Sequence, residues 1–301
     1  MTPNHAIGLA LLAGLAWGTG NVAQKTSLVH LDGFAASGLT ALIGALVLLP
    51  LAMRESKAAR PSAKVALPGL LVTAVLFTFA STVMQFSYGI TSVTNAGFLV
   101  NSAAVLTPIL GWACLSQRPS PTIWPACLAT LVGIFLMGGG NWSGFSPGDL
   151  LALLSALGYA VWTLTVGLHV MHYRRPVLLT TVQLFVCGVL CTAISIGLHG
   201  LPAPATLAAA LPEILFLGLV SKGLAYLLMA IAQQHVSAAC ASILVTTEAL
   251  FGALIAVLVL GETLNLTRSV GALCIVFGVV IAARAPASLT GGQLAALPPQ
   301  Q

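Results

Sequence analysis

Long apolar runs, interrupted at short intervals by polar or basic clusters, make up nearly the whole chain. A helix of about 20 apolar residues crosses a bilayer, and ten runs of that order follow one another: 5–25, 34–53, 66–87, 93–115, 121–138, 149–170, 177–198, 212–232, 237–259 and 267–284. The pattern predicts an all-α polytopic membrane protein of ten transmembrane helices, numbered here as spans 1 to 10. Span 5 is short and carries Pro125. The last residues, 286–301, lack apolar periodicity and are predicted as a disordered tail.

One stretch departs from uniform apolarity in an informative way. Gln233 to Glu262 reads QQHVSAACASILVTTEALFGALIAVLVLGE, with Glu248 near its middle, and the preceding span carries Lys222 at similar depth. An ionised group at a bilayer centre costs a few kcal/mol at least, so such residues face a cavity or a partner. The same stretch also has an earlier copy. An offset of 145 residues lays Ser237 on Ser92, Ala241 on Ala96, Leu244 on Leu99 and Val245 on Val100, and continues without a gap to Gly278 on Gly133. Identity is low, but the ungapped register indicates an internal duplication, with repeats over 1–140 and 141–285. Five spans per repeat is an odd number, so the second repeat enters the membrane from the opposite side. Two inverted five-helix repeats around a central cavity are a transporter architecture, with the site near the midplane between the halves.

Composition narrows the alternatives. The chain is 58% hydrophobic and 6% charged, against about a quarter charged in soluble domains. The pI near 9.1 does not indicate a nucleic-acid partner, because the basic residues lie in short loops. Arg54, Lys57, Arg60, Lys64, Arg118, Arg174, Arg175 and Arg284 fall on one side of the predicted topology, and only Lys25 and Arg268 on the other. The positive-inside rule then places both termini in the cytoplasm, and the expected location is the cell inner (plasma) membrane. The basic run RESKAARPSAK reads as a topology-setting loop. The N-terminal MTPNH lacks a basic region and a cleavage site, so span 1 is expected to be retained.

Six cysteines all lie in apolar runs without zinc spacing, and Cys187 and Cys191, four apart on one helix, read as apolar fillers. His169 and His172 lack a third ligand. Neither a cofactor nor a metal is expected, and the chain has no HExxH, GxSxG or nucleotide-binding motif, so neither an enzyme nor direct ATP drive is indicated. A membrane enzyme or a non-transporting scaffold are remote alternatives. The expected partners are the lipid bilayer and a small-molecule substrate; nothing in the sequence speaks to oligomeric state.

Several segments together carry a family resemblance. Span 1 holds LLAGLAWGTGNVAQK, with Trp17-Gly18. The first repeat has TSVTNAGFL followed by VLTPILGWACLSQRPS, and the second has AQQHVSAACASILVTTEALFGALIAVLVLGETLN and VGALCIVFGVVI. In order and spacing, across essentially the whole chain, the sequence resembles the drug/metabolite transporter superfamily and its ten-helix EamA-type exporters. It departs from that pattern at Ala249, where a proline usually follows the position of Glu248, and at Gln117, where many first repeats have an acid. The resemblance implies a basket of spans 1, 3, 4, 6, 8 and 9 around a cavity, and efflux of small metabolites, often amino acids.

Helical spacing nominates a lining, since positions three and four apart share a face. Span 8 aligns Gly218, Lys222, Tyr226 and Gln233, and span 9 aligns Cys240, Leu244, Thr247 or Glu248, and Phe251. Span 3 offers Thr78, Ser81, Thr82, Gln85 and Tyr88; span 4 offers Asn95, Phe98, Asn101 and Ser102. Trp17 and Asn21 share a face of span 1, as do Tyr159, Trp162 and Thr163 on span 6. The substrate-binding set drawn from these is Lys222, Glu248, Tyr226, Trp17, Asn21, Thr78, Ser81, Gln85, Phe98, Asn101, Tyr159, Trp162, Thr163 and Thr247.

Lys222 and Glu248 admit three readings: an ion pair tying spans 8 and 9, a site for a zwitterionic solute with possible proton exchange, or a protonated and hydrogen-bonded Glu248. Pro108 should kink span 4. Gly14 and Gly18 suit close helix packing. Trp112, Trp124 and Trp142 read as interfacial anchors, and Asp149, Glu213 and Glu262 as helix-end residues. The expected activity is secondary transport of small metabolites, foremost amino acids, in the export direction by alternating access. Cationic drugs or other metabolites are the alternative cargo.

Overall fold

The computed structural model describes residues 2–55, 63–140, 146–260 and 265–285. The expectations for Lys57, Arg60, Trp142, Glu262 and the tail from 286 lie outside the described residues. Span 1 is α1 (Pro3–Ser27), span 2 α2 (Gly33–Arg54) and span 3 α3 (Ala63–Ile90). Span 4 is divided into α4 (Val93–Val100) and α5 (Ala103–Leu115), and span 5 is α6 (Ile123–Met137). In the second repeat α7 (Pro147–Tyr173) and α8 (Pro176–His199) form spans 6 and 7. Span 8 runs from α9 (Pro204–Phe216) through a π-helical stretch (Leu217–Leu224) into α10 (Ala225–Ala232). Span 9 is α11 (Ala238–Leu244) with α12 (Thr247–Leu260), and span 10 is α13 (Leu266–Ala283). Among the described residues, nine passes are long and apolar enough to cross a membrane, and the 15-residue apolar α6 supplies the tenth.

The helices are apolar outside as well as inside, as a bilayer demands. On α3, Leu67, Leu71, Val75 and Phe79 are exposed at four-residue spacing and form a lipid-facing stripe. The closest helix contacts are made at small residues. A Cβ on Gly133 would lie 2.7 Å from both Gly271 O and Ile275 N, so α6 and α13 touch backbone to backbone. Gly14 and Gly18 bring α1 equally close to α12, where a Cβ on Gly18 would lie 2.9 Å from Gly252 N.

The offset of 145 residues relates these elements pairwise. Ser92 caps α4 by accepting from Asn95 N, and its copy Ser237 caps α11 by accepting from Cys240 N. The breaks in spans 4 and 9, Asn101–Ser102 and Val245–Thr246, fall within one residue of each other under this offset. Polar side chains there take carbonyls of the preceding turn: Asn101 Nδ2 donates to Gly97 O and Ser102 Oγ to Leu99 O. Thr246 and Thr247 do the same to Ile243 O and Leu244 O. Side chains that bond back in this way compete with the helix and bend it.

The related pair α2 and α8 is pinned at both ends. Asp32 caps α2 through Phe34 N and Ala35 N while Ser195 Oγ of α8 donates to its other oxygen at 2.7 Å. At the far end Glu55 accepts from Val177 N and Leu178 N at 3.0 and 2.9 Å, capping α8, whose own N-cap Arg175 supplies no side-chain bond. A carboxylate suits the positive end of a helix dipole.

Three expectations are corrected. Span 8 begins at Pro204 and not at 212, because alanines after Pro204 continue the helix. Glu213 therefore sits in the third turn of α9 and not at its start, whereas Asp149 does cap α7 in a capping box with Ser146. Spans 4 and 9 are broken helices, not continuous ones.

Replacing Gly133 by leucine should force α6 from α13 and cost about 1–3 kcal/mol of stability. Gly197→Ala, which meets nothing within 4 Å, should be near neutral; thermal unfolding in detergent compares them.

Candidate functional site

Inside the bundle the spans separate around a cavity that offers water centres about 90 Å³, several times the ~10–15 Å³ that one water needs. Trp17, Asn21 and Gln24 line it from α1; Gln85 and Tyr88 from α3; and Asn101 and Ala104 from the break in span 4. Tyr159, Trp162 and Thr163 face it from α7, Ser221, Lys222 and Tyr226 from span 8, and Ser242 and Glu248 from span 9. Spans 1, 3, 4, 6, 8 and 9 all contribute, together with Thr40 of α2.

Lys222 owes its position to the π-helical stretch. A π turn has a surplus residue per turn and displaces carbonyls from the α ladder, and Trp17 Nε1 donates to one such carbonyl, Ser221 O, at 2.9 Å. The ammonium is buried, donates to Ser81 Oγ, and lies 5.3 Å from the ring centre of Phe77 and 5.6 Å from that of Tyr226. Ring faces attract a desolvated cation. Tyr226 in turn packs edge-on against Trp17, Phe77 and Trp162, at centroid distances of 4.8, 4.8 and 5.4 Å. Its hydroxyl meets that of Tyr159 at 2.8 Å.

Glu248 occupies the first turn of α12, where the helix dipole favours a carboxylate. Its Oε1 accepts from Asn21 Nδ2 at 3.0 Å. Asn21 is itself oriented, because its Oδ1 accepts from Tyr88 OH at 3.0 Å and from Gln24 Nε2 at 3.4 Å. Among the described residues Lys222 and Glu248 do not form a salt bridge within 4.0 Å: each charge is held by neutral groups and both line one cavity. The reading of a direct ion pair between spans 8 and 9 does not hold.

Of the residues nominated from sequence, Trp17, Asn21, Gln85, Asn101, Tyr159, Trp162, Thr163, Lys222, Tyr226 and Glu248 line the cavity together. Four stand elsewhere. Ser81 lies behind Lys222 as its hydrogen-bond acceptor. Thr78 bonds back to Ala74 O, and Thr247 to Leu244 O where α12 meets Gly14. Phe98 turns away to Phe135 and Gly138. Helical spacing did not nominate Gln24, Thr40, Ser221 or Ser242. Gln24 carried a signal, being three residues after Asn21 and seven after Trp17 on one face. Ser221 did not, since the face aligned on Gly218, Lys222 and Tyr226 leaves it one residue to the side.

A helical bundle of inverted repeats closed on a polar, two-signed cavity, built at broken and π-bulged helices, defines a membrane transporter. The EamA-like transporter family model matches the chain twice, over residues 4–139 and 146–284, and the chain belongs to that family, within the drug/metabolite transporter superfamily. An uncharacterized transporter of Archaeoglobus fulgidus is 25% identical over 276 residues, covering 91% of this chain and 84% of that one. Another uncharacterized transporter, from Clostridium kluyveri, is 24% identical over 275 residues, covering 86% and 85%. A solved crystal structure shares the fold, with a TM-score of 0.75 at 18% identity over 93% of this chain and 96% of its own.

Asn21→Leu should strand both Glu248 and Tyr88 OH without their partner and cost about 1–3 kcal/mol. Thermal unfolding should show the loss, while Phe98→Leu, remote from the cavity, should leave the binding groups unchanged.

Proposed function

We propose that the chain is a secondary transporter that moves small zwitterionic metabolites, foremost amino acids, across the cell inner membrane by alternating access. The observation that carries this reading is the pair of opposite charges facing one cavity without neutralising each other. An ammonium has three donors, and Ser81 takes one from Lys222; a substrate carboxylate is the natural acceptor for the others. Glu248 offers a carboxylate for the substrate amine, and Trp17, Tyr159 and Trp162 give an apolar wall for a side chain. The basic loops support a cytoplasmic location for both termini, and export rests on the family resemblance. Glu248 is also the group that would exchange a proton if transport is coupled to one, since it reaches the cavity and is bonded by the neutral Asn21.

Counterflow of radiolabelled amino acids in proteoliposomes, with and without a pH gradient, tests this. Lys222→Ala should reduce exchange by about tenfold or more, the worth of a charged hydrogen bond at ~1.5–3 kcal/mol. Glu248→Gln should abolish any response to the pH gradient. Wild-type exchange by both folded variants would return the two charges to a structural role, and exchange of cationic compounds alone would favour a drug exporter.

A further inference from the structure

A second pocket, offering water centres about 30 Å³, lies just beyond the central cavity along the same three elements. On α5 the cavity ends at Ala104 and this pocket begins at Thr107. On α7 Thr163 faces the cavity and Leu164 the pocket; on α11 the corresponding residues are Ser242 and Ala239. The partition is therefore about one helical turn thick, ~5.4 Å. The pocket's other end reaches Gln117 and Arg118, past the last residue of α5, and Arg118 is its sole charged lining group among the described residues.

The partition is weakly held on the α5 side. Pro108 has no N–H, so Ala104 O lacks its usual i+4 donor; Cys127 Sγ of α6 donates to it at 3.6 Å. With the break at Asn101–Ser102, the segment Ser102–Thr107 has a helix irregularity at each end. Leu164 is buried and reaches across to α5 through the space left by Gly111, where a Cβ would lie 3.2 Å from Leu164 Cδ2.

The other repeat holds the counterpart of this seam in a different state. The 145-residue offset lays Thr163 on Gly18, Tyr159 on Gly14 and Thr107 on Gly252. There α1 and α12 are closed backbone on backbone, whereas the α5–α7–α11 seam encloses a pocket. Inverted repeats make two such seams alternatives, one opening as the other closes.

We infer that the α5–α7–α11 seam is the passage between the central cavity and the arginine-bearing end of the bundle, with Leu164 as its plug, Pro108 as the hinge of its α5 wall, and Arg118 admitting solutes by an anionic end. This rests on the central cavity being the transport site. The test does not need the substrate. In a background with the six native cysteines replaced, single cysteines in proteoliposomes are exposed from each face to impermeant sulfonate- and trimethylammonium-bearing methanethiosulfonates. Arg118→Cys marks the arginine-bearing face.

Leu164→Cys should react from that face, about threefold or more faster with the sulfonate reagent, a preference that Arg118→Gln removes. Ala104→Cys, beyond the plug, should react from the same face about tenfold more slowly, be accelerated by Leu164→Ala or the milder Leu164→Val, and be slowed by Pro108→Ala. Reaction of Leu164→Cys from the opposite face, or rates at Ala104→Cys indifferent to both plug and hinge, would overturn the passage. Failed amino-acid counterflow beside the expected labelling would remove the solute assignment and leave the passage standing.

Discussion

A charge in the middle of a bilayer-spanning bundle must be solvated by the protein itself, and much of this interior answers that requirement for Lys222 and Glu248. The π-helical stretch carries Lys222 against Phe77, Tyr226 and Ser81, and the break in span 9 starts a new helix whose first turn holds Glu248. Asn21 bonds Glu248 and is itself fixed by Tyr88. Had the two charges been paired with each other, neither the broken helices nor the second layer of neutral partners would be required. A direct pair would also spend its electrostatic energy on itself, leaving nothing for a ligand.

Duplication explains how one framework carries two different halves. The 145-residue offset lays Trp162 on Trp17, Lys222 on Phe77 and Tyr226 on Ser81. The observed contacts Phe77–Tyr226 and Lys222–Ser81 are thus copies of one another across the pseudo-twofold axis, and Phe77–Lys222 lies on it. The two tryptophans keep the same role as donors while taking different partners, Ser221 O and Gln183 Oε1. Divergence at a few positions near the axis has placed both charges in the second repeat.

The small residues set which interfaces are tight. Glycines at Gly14 and Gly18 let α12 close on α1, whereas Tyr159 and Thr163 at the matching places of α7 face the cavity. The α2–α8 pair is capped and pinned at both ends, whereas spans 4 and 9 are each broken into two helices.

Much of this architecture is legible in the chain alone. Apolar runs have to be helices in lipid, because backbone groups there can bond only internally, so the spans and the inverted duplication can be read from spacing. One helix face predicts which residues look the same way, and that suffices for Trp17 with Asn21 or Tyr159 with Trp162. It fails at Thr78 on the regular α3, which bonds back to Ala74 O, and more often where the helix ceases to be regular. The π-helical stretch brings both Ser221 and Lys222 to the cavity. The breaks at Asn101–Ser102 and Val245–Thr246 interrupt the helical register of spans 4 and 9, and on those two spans Phe98 and Thr247 point away from the cavity. Whether Lys222 and Glu248 touch was also beyond the sequence. That depends on how far apart packing sets spans 8 and 9, which is fixed by backbone irregularities and by contacts between residues more than a hundred positions apart.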